Sequence, residues 1–384
     1  MVFRALADTG VTLSQLGFGA MRFPLIDQYD PTTIDEPLAT KMLHYAIDNG
    51  INYIDTAYPY HRQTSEIFVG KALKRGYRKK VYLATKMPVW LVKSKADAQK
   101  YFNEQLQRLQ TDCIDMYLLH SLSNGVWKTV RECDVLNFLD RMLKSGKIRY
   151  TGFSYHDDLT LFKKIVDVYP WTICLIQLNY VDDQYQAGLE GLEYAHKKGL
   201  SVMVMEPLRG GKLANNVPEE VLKIIRRSHW RQTPAQFALR WVLNRPEVSC
   251  VLSGMSSLEQ VRKNIAFASE EHVNTITRDE MKLYAEARRF YQRRTKVNCT
   301  QCRYCMPCNQ KIPISLILEL YNDACMYDAI EDSRRMYKVF VKPENRPDQC
   351  TECGECEDKC PQHILITSTL KEAHELLSGE GDSR

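Results

Sequence analysis

The stretch at residues 51–60, INYIDTAYPY, shows the local pattern that decides the fold: a short apolar run that ends in polar side chains. The preceding segment, LATKMLHYAIDNG, has helical periodicity and ends in Asn-Gly, as helix C-termini often do. This alternation of apolar runs and amphipathic segments continues from about residue 15 to about residue 295. The eight apolar runs are LGFGAM, INYIDTA, VYLATK, CIDMYLLH, IRYTGFS, ICLIQLNY, LSVMVMEP and VSCVLSG. Eight strand–helix repeats predict an α/β fold, the (β/α)8 TIM barrel.

A doubly wound parallel sheet is the main alternative to the barrel. That fold usually carries G-x-G-x-x-G after its first strand, and GFGAMRFP lacks the third glycine. The missing fingerprint favours the barrel. Ahead of the first barrel strand, FRALADTGVTLSQL places an Asp-Thr-Gly turn between two short apolar pieces, which predicts a hairpin.

Length and composition indicate a globular protein with one large and one small domain. Its 384 residues are 44% hydrophobic and 26% charged, which is ordinary for this class. The formal charge of +5 is small for this length, and no basic run is dense enough to indicate nucleic-acid binding. We see neither a signal-peptide core nor an apolar stretch of membrane-spanning length, and so expect a cytoplasmic protein with reduced thiols.

Eight of the thirteen cysteines fall in two runs, NCTQCRYCMPC from residue 298 and CTECGECEDKCP from residue 350. The second run has the spacing C-x2-C-x2-C-x3-C-P, with which bacterial ferredoxins bind [4Fe–4S] clusters. In the first run the last gap is only two residues, and Asn309 follows where proline is usual. A zinc site is the alternative, but it usually uses two separated pairs of ligands. The spacing therefore favours iron–sulfur clusters, and the segment between the runs is predicted to form one or two helices.

Polar side chains end three successive predicted strands. Asp55 ends the second strand, Lys86 the third and His120 the fourth, and Tyr60 lies in the loop after Asp55. The C-terminal ends of barrel strands form the active-site face, so we expect these four residues to meet there.

Together the four side chains suit the reduction of a carbonyl group. Tyrosine would donate the proton, a lysine ammonium would lower the tyrosine pKa, and a carboxylate would hold the lysine. Histidine would orient the substrate oxygen. Each residue alone has an ordinary alternative, such as a helix cap, a packed aromatic or a core histidine, but the four together favour the functional interpretation.

The segments NYIDTAYPY, VYLATK and DMYLLH resemble the aldo-keto reductases, whose motif matches this sequence at Asp55, Tyr60, Lys86 and His120. The resemblance covers roughly residues 3 to 290. It implies an NADPH- or NADH-dependent oxidoreductase that reduces an aldehyde or ketone, or oxidises the corresponding alcohol. Tyr60 would be the general acid and base.

The resemblance also implies a set of cofactor contacts. Ser154 and Gln177 would hold the nicotinamide carboxamide, although Tyr155 replaces the asparagine that usually follows the serine. The segment PLRGGK would wrap the pyrophosphate, and SGMSSLEQVRKN would hold the adenosine end. The predicted contacts are Met21, Arg22, Asp55, Ser154, Gln177, Met205, Pro207, Leu208, Arg209, Gly210, Gly211, Lys212, Gly254, Ser256, Gln260 and Asn264.

Two further differences from the family pattern concern cofactor binding. Met205 stands where an aromatic side chain commonly stacks on the nicotinamide. Gly254 and Gln260 match the basic residues often found at the adenosine 2′-phosphate. The choice between NADPH and NADH therefore stays open, with Arg262 or Lys263 as alternative sources of positive charge.

By analogy with two-cluster ferredoxins, the cysteines would bind two [4Fe–4S] clusters, each cluster taking one ligand from the other run. One set would be Cys299, Cys302, Cys305 and Cys360, and the other Cys308, Cys350, Cys353 and Cys356. The whole chain resembles the aldo-keto reductases with a C-terminal ferredoxin-like domain. We expect the barrel to span residues 1–294 and a small helical iron–sulfur domain to span residues 295–384.

Three roles for the clusters remain open at this stage. They pass electrons during catalysis, they only stabilise the tail, or they serve a redox partner protein while the barrel is a docking or vestigial element. Nicotinamide moves two electrons as a hydride whereas a cluster moves one, so coupling them needs a flavin or a substrate, such as a quinone, that holds a radical. The complete set of four catalytic candidates favours an enzyme over an electron-transfer protein.

Overall fold

The computed structural model describes residues 1–215, 217–229, 232–299, 305–360 and 362–379. The chain divides into two compact units. The first contains Met1–Gly210 and Ala238–Ile276, and the second contains Gly211–Phe237 and Thr277–Arg384. Within the described residues, no helix is both long and apolar enough to cross a bilayer.

The first unit is built around a closed parallel barrel. A hairpin of β1 (Phe3–Ala5) and β2 (Thr12–Ser14) precedes it, as the Asp-Thr-Gly turn predicts. The barrel strands are β3 (Leu16–Gly19), β4 (Tyr53–Asp55), β5 (Tyr82–Met87), β6 (Ile114–Leu122), β7 (Ile148–Tyr155), β8 (Ile173–Gln177), β9 (Ser201–Met205) and β10 (Val248–Ser253). Each strand pairs with the next along the chain, and β10 pairs with β3 to close the ring. The eight predicted apolar runs form these strands, so the predicted TIM barrel is confirmed.

Helices alternate with the barrel strands. Their bounds are α1 (Glu36–Asp48), α2 (Ser65–Ala72), α3 (Lys95–Leu109), α4 (Asn124–Glu132), α5 (Val135–Lys144), α6 (Leu159–Val168), α7 (Gly188–Lys197), α8 (Glu219–Arg226), α9 (Pro234–Leu243) and α10 (Leu258–Glu270). Several helices begin at a side-chain cap. Asp158 accepts a hydrogen bond from the backbone N–H of Leu161 at the start of α6, and Ser257 does the same for Gln260 at the start of α10.

Apolar side chains fill the interior of the barrel in the two-residue period expected of strands. They are Tyr53, Ala84, Met116, Leu118, Ile173, Leu175, Met203, Cys250 and Leu252, with Leu6 and Leu13 of the N-terminal segment. Gly17 is required among them, because a Cβ there would lie 2.9 Å from atoms of Tyr53, Cys250 and Leu252. The next inward position on several strands is polar: Asp55 after Tyr53, Lys86 after Ala84 and Gln177 after Leu175. The packed interior therefore ends where the candidate site begins.

The second unit is helical and contains α8 together with the C-terminal helices. These are α11 (Arg278–Arg293), α12 (Ile314–Met326), α13 (Ile330–Phe340), α14 (Glu355–Asp358) and α15 (Ile366–Ser378). An apolar core, which includes Ile317 and Leu318 of α12, Tyr337 of α13 and Leu370 of α15, holds these three helices together. The helices α12 and α13 lie between the two cysteine runs, as the sequence predicts.

Candidate active site

The structure brings Asp55, Lys86 and Tyr60 into direct contact at the mouth of the barrel. The ammonium nitrogen of Lys86 lies 2.6 Å from Asp55 Oδ1 and 3.4 Å from the Tyr60 hydroxyl, to which it donates. The same ammonium donates to the backbone oxygen of Thr56 at 2.9 Å. Asp55 and Lys86 are almost fully buried, so the ion pair is shielded from water.

Burial and charge set the protonation states of this pair. Burial alone would lower the pKa of Lys86, but the Asp55 carboxylate and the Tyr60 hydroxyl together raise it above its ordinary value. Burial also raises the pKa of Asp55, and the Lys86 ammonium opposes that rise. We conclude that Lys86 carries its proton at neutral pH and points a fixed positive charge at Tyr60.

The Tyr60 hydroxyl is more weakly acidic than the sequence suggests. Burial raises its pKa above the ordinary tyrosine value, whereas the Lys86 ammonium lowers it and Asp55 adds to the rise. The expected effect of the lysine is present, but burial is larger. Tyr60 therefore keeps its proton at neutral pH, which is the state that a proton donor needs.

His120 lies beside Tyr60, with ring centroids 6.1 Å apart and the rings nearly perpendicular. Burial lowers its pKa well below the ordinary value, and the charges of Lys86 and His156 add to this effect. The imidazole is thus neutral at neutral pH. Its buried Nδ1 has no hydrogen-bond partner among the described residues. Trp90, 43% exposed, lies against the same imidazole with a centroid distance of 5.2 Å.

The turn that carries Tyr60 is held in an unusual backbone conformation. Tyr60 begins a short helical turn in which His61 and Arg62 have φ of 50° and 47°, and Gln63 follows with 77°. His61 fixes the turn, because one ring nitrogen accepts from the Phe23 backbone N–H and Nδ1 lies 2.9 Å from the Pro31 carbonyl. Sequence reasoning missed His61, since its role depends on a loop distant along the chain.

Ser154 and Gln177 both lie on the inward side of neighbouring strands, β7 and β8. Ser154 Oγ accepts from the backbone N–H of Ser121 at 2.8 Å, so its own hydroxyl proton remains available for donation. Gln177 Nε2 donates to Asp182 Oδ2 at 3.3 Å. Tyr155 does not replace the missing asparagine, because it is fully buried and its hydroxyl donates to the Asp158 backbone oxygen.

The predicted pyrophosphate segment, residues 207–212, has one arginine held by an aspartate. Arg209 forms an ion pair with Asp182, with 3.2 Å between Nη1 and Oδ2. Gly210 and Gly211 have φ of 66° and 100°, which favours glycine at both positions. Lys212 forms an ion pair with Asp323 of α12 within the second unit. Pro207 is buried and Leu208 is half-buried in the same segment.

Arg22 lies against two of the predicted cofactor glycines. A Cβ at Gly210 would meet Arg22 Nη2 at 2.9 Å, and a Cβ at Gly254 would meet Arg22 Cδ at 3.0 Å. The aliphatic part of Arg22 therefore lies at Gly254, the residue after β10, and its guanidinium lies at Gly210, within the predicted pyrophosphate segment. Met21, its exposed neighbour, and Met205, which packs on the barrel interior, complete this side of the mouth.

The predicted adenosine segment is partly engaged in its own hydrogen bonds. Gln260 Oε1 accepts from the backbone N–H and the hydroxyl of Ser256. Asn264 is buried and donates to Ser253 Oγ at 3.2 Å. Arg262 lies over the Tyr45 ring, 5.4 Å from its centroid.

Cysteines from both runs meet in the second unit. Five of them, Cys305, Cys308, Cys350, Cys353 and Cys356, line one cavity. The first run also contributes Cys299, which packs on the apolar core with the buried Cys360. The predicted ligand Cys302 lies outside the described residues. Within the described residues, no group of three or more His, Cys, Asp and Glu side chains is arranged to hold a metal ion.

Comparison with known proteins identifies both parts of the chain. Residues 15–286 match the Aldo/keto reductase family, and residues 298–365 match the 4Fe-4S dicluster domain. The chain belongs to the aldo-keto reductase family and carries a 4Fe–4S dicluster-type domain at its C-terminal end. It is an oxidoreductase enzyme.

The relatives that the chain resembles in sequence have different named activities. The L-galactose dehydrogenase of Arabidopsis thaliana is 32% identical over 289 residues, covering 70% of this chain and 88% of that protein. The NADH-specific methylglyoxal reductase of Escherichia coli (strain K12) is 28% identical over 308 residues, covering 68% and 91%. Among solved structures, the holo form of the aldo-keto reductase AKR11C1 from Bacillus halodurans has a TM-score of 0.60 and 28% identity, covering 74% of this chain and 96% of that one.

Proposed function

We propose that the protein reduces a small aldehyde, ketone or quinone with NADH or NADPH, or oxidises the corresponding alcohol. The observation that carries the proposal is the buried chain from Asp55 through Lys86 to the Tyr60 hydroxyl, with neutral His120 beside it. These groups offer a proton donor, a charge that stabilises the oxyanion left on the donor, and a hydrogen-bonding group for the substrate oxygen.

Each of the four side chains has a separate role in the proposed reduction of the carbonyl group. A nicotinamide held by Ser154 and Gln177 would supply the hydride, and Tyr60 would donate the proton to the carbonyl oxygen. The ammonium of Lys86, 3.4 Å from the Tyr60 hydroxyl, stabilises the phenolate that remains. Asp55 keeps Lys86 charged and in place. The neutral imidazole of His120 orients the carbonyl oxygen through a hydrogen bond.

The residues around the mouth fit a dinucleotide. Ser154 retains a hydroxyl proton for a carboxamide oxygen, and Gln177 retains an amide oxygen for a carboxamide N–H. Arg22 lies beside the glycines at 210 and 254, and it has a guanidinium suited to a pyrophosphate. These observations support the carboxamide and pyrophosphate contacts that the family resemblance implies.

We infer a preference for NADH over NADPH. The positions that match the basic residues of the 2′-phosphate site are Gly254 and Gln260, and the amide oxygen of Gln260 is engaged by Ser256. Lys263 pairs with Glu259 at 2.6 Å, and Arg262 lies over the Tyr45 ring, so both alternative sources of positive charge already have partners. A charge that is already paired contributes less to holding the added charge of a 2′-phosphate.

We infer further that the cysteines bind two [4Fe–4S] clusters, with the ligand sets expected from the sequence. All four cysteines of the second set, Cys308, Cys350, Cys353 and Cys356, line one cavity together with Cys305 of the first set, which supports iron–sulfur binding in this part of the second unit. Thiolates in such a group suit iron–sulfur ligation. The clusters would add one-electron redox chemistry or a cross-link between the two cysteine runs.

A turnover screen under anaerobic conditions tests the proposed function. The full-length protein with both clusters is assayed with NADH and NADPH against aldehydes, ketones, sugars and quinones, and product formation is followed with cofactor oxidation. We expect turnover of at least one carbonyl class, with a higher kcat/KM for NADH than for NADPH. Failure to bind either dinucleotide in an equilibrium titration would exclude the proposal.

A further inference from the structure

One carboxylate oxygen connects two parts of the proposed cofactor site. Asp182 Oδ2 accepts from Gln177 Nε2 at 3.3 Å, from Asn179 Nδ2 at 3.1 Å and from Arg209 Nη1 at 3.2 Å. The Asp182 side chain is only 15% exposed and that of Arg209 only 12%, so these contacts are largely shielded from water. Asn179 fixes Asp182 in turn, because its amide oxygen accepts from the backbone N–H of Asp182 at 2.9 Å.

The charge of Asp182 determines which end of the Gln177 amide faces it. An ionised carboxylate has no proton to donate, so it pairs with the NH2 group of an amide and repels the amide oxygen. Gln177 therefore keeps Nε2 toward Asp182 and its oxygen on the other side. A side-chain amide without such a neighbour rotates and presents either its donor or its acceptor.

Ser154 has the complementary polarity. Its Oγ already accepts from the Ser121 N–H, so the hydroxyl acts as a donor toward a ligand. Ser154 pairs in register with Leu175, and Gln177 lies two residues farther along β8, so both side chains point to the inside of the barrel. A primary carboxamide presents one acceptor and one donor, which matches this serine donor and glutamine acceptor.

We propose that Asp182 is a positioning residue that sets the orientation of the Gln177 amide, and thereby makes the site selective for a dinucleotide whose ring carries a carboxamide. The same carboxylate oxygen holds Arg209 at the edge of the proposed pyrophosphate site. The inference rests on the proposed function, since it assumes that the nicotinamide lies between Ser154 and Gln177. Asp182 acts through Gln177 and Arg209, which it contacts directly, and not on the reacting atoms.

Equilibrium binding of two dinucleotides tests the proposal. The full-length wild-type protein, Asp182→Ala and Asp182→Asn are titrated with NADH and with reduced 3-acetylpyridine adenine dinucleotide, which has a methyl group in place of the carboxamide NH2. We expect wild type to prefer NADH, so that the Kd of the acetylpyridine dinucleotide divided by the Kd of NADH is greater than one. This ratio should fall about threefold to tenfold in Asp182→Ala, the effect of one hydrogen bond. Loss of the Arg209 ion pair weakens both dinucleotides alike, so the ratio isolates the effect on Gln177.

The variants and a matched control distinguish this inference from the proposed function. Asp182→Asn preserves the shape of the side chain but lets the Gln177 amide turn, so its ratio should also fall. Asp157→Ala removes an aspartate from the loop after β7, where it accepts from the Asn124 backbone N–H, and should leave the ratio unchanged. A wild-type ratio near one, or an unchanged ratio in both folded Asp182 variants, overturns the role of Asp182. Absence of any dinucleotide binding by wild type overturns the proposed function instead.

Discussion

The ammonium of Lys86 donates to the Tyr60 hydroxyl across 3.4 Å, inside a site where the lysine itself is 1% exposed. A charge at that distance acts strongly because little water screens it. Its largest effect is on the phenolate form of Tyr60, which exists only after the proton has been given away. The pair is therefore arranged to stabilise the product of proton donation more than its starting state.

Replacing Tyr60 with phenylalanine should remove the proposed proton donor and leave the proposed binding groups in place. We expect kcat for carbonyl reduction to fall about 100-fold to 10,000-fold, the usual contribution of a general acid. The Kd for NADH and the iron content should be unchanged. Tyr58→Phe is the matched control, since Tyr58 is buried nearby but its hydroxyl donates to Glu104. Activity close to wild type in Tyr60→Phe would contradict the assignment.

The pH profile of carbonyl reduction should be flat through the neutral range. Burial raises the pKa of Tyr60, and burial lowers the pKa of His120 well below its ordinary value, so neither residue changes state near neutrality. Reduction needs protonated Tyr60, so kcat/KM should fall only above about pH 10, the ordinary tyrosine pKa. Alcohol oxidation needs the deprotonated form and should rise toward the same pH.

This pH profile is informative when the chemical step limits the rate, which an isotope effect with deuterated NADH establishes. A fall in reduction between about pH 7 and about pH 9 would mean that Lys86 outweighs burial and lowers the tyrosine pKa below its ordinary value.

The sequence was sufficient to predict the barrel and the meeting of Asp55, Lys86, Tyr60 and His120. Parallel strands in register bring their C-terminal ends to one face, so strand order and the two-residue period are enough to bring Asp55, Lys86 and His120 together. Tyr60 lies in the loop after β4, so its place beside them was expected from the resemblance to the aldo-keto reductases.

The sequence did not predict the contacts that depend on the conformation of loops. Asp182 is one of two adjacent aspartates, and only the folded loop shows that it is the one that receives Gln177 and Arg209. His61 contacts Phe23 and Pro31, which lie far away along the chain. The sequence also did not predict that the pKa of Tyr60 is raised. Burial depends on the whole surrounding fold, and its effect on this pKa outweighs that of the Lys86 charge.

The close contact between Gly210 and Arg22 gives a prediction with an internal control. Gly210→Ala adds a Cβ that would lie 2.9 Å from Arg22 Nη2 and also strains a backbone with φ of 66°. Gly199→Ala strains a backbone with φ of 83°, but no atom lies within 4 Å of the added Cβ. Both variants should lose about 1–2 kcal/mol of unfolding free energy from backbone strain.

Only Gly210→Ala should also weaken NADH binding, by about tenfold, because it displaces the Arg22 guanidinium from its place beside the proposed pyrophosphate site. Chemical denaturation measures the first effect and a fluorescence titration measures the second. Equal NADH affinities in the two variants would show that Arg22 does not contact the cofactor.

The cysteine cavity predicts different outcomes for two half-buried thiols that pack on the same core. Cys356 lines the cavity and is a proposed ligand, whereas Cys325 of α12 lies outside both ligand sets. Cys356→Ser should lower the iron content of anaerobically purified protein by about half, because a serine hydroxyl is a poor replacement for a thiolate ligand in one of two clusters. Cys325→Ser should retain the full iron content and visible absorption. Equal iron loss in both variants would indicate that Cys356 supports the fold of the unit, and full iron in Cys356→Ser would remove it from the ligand set.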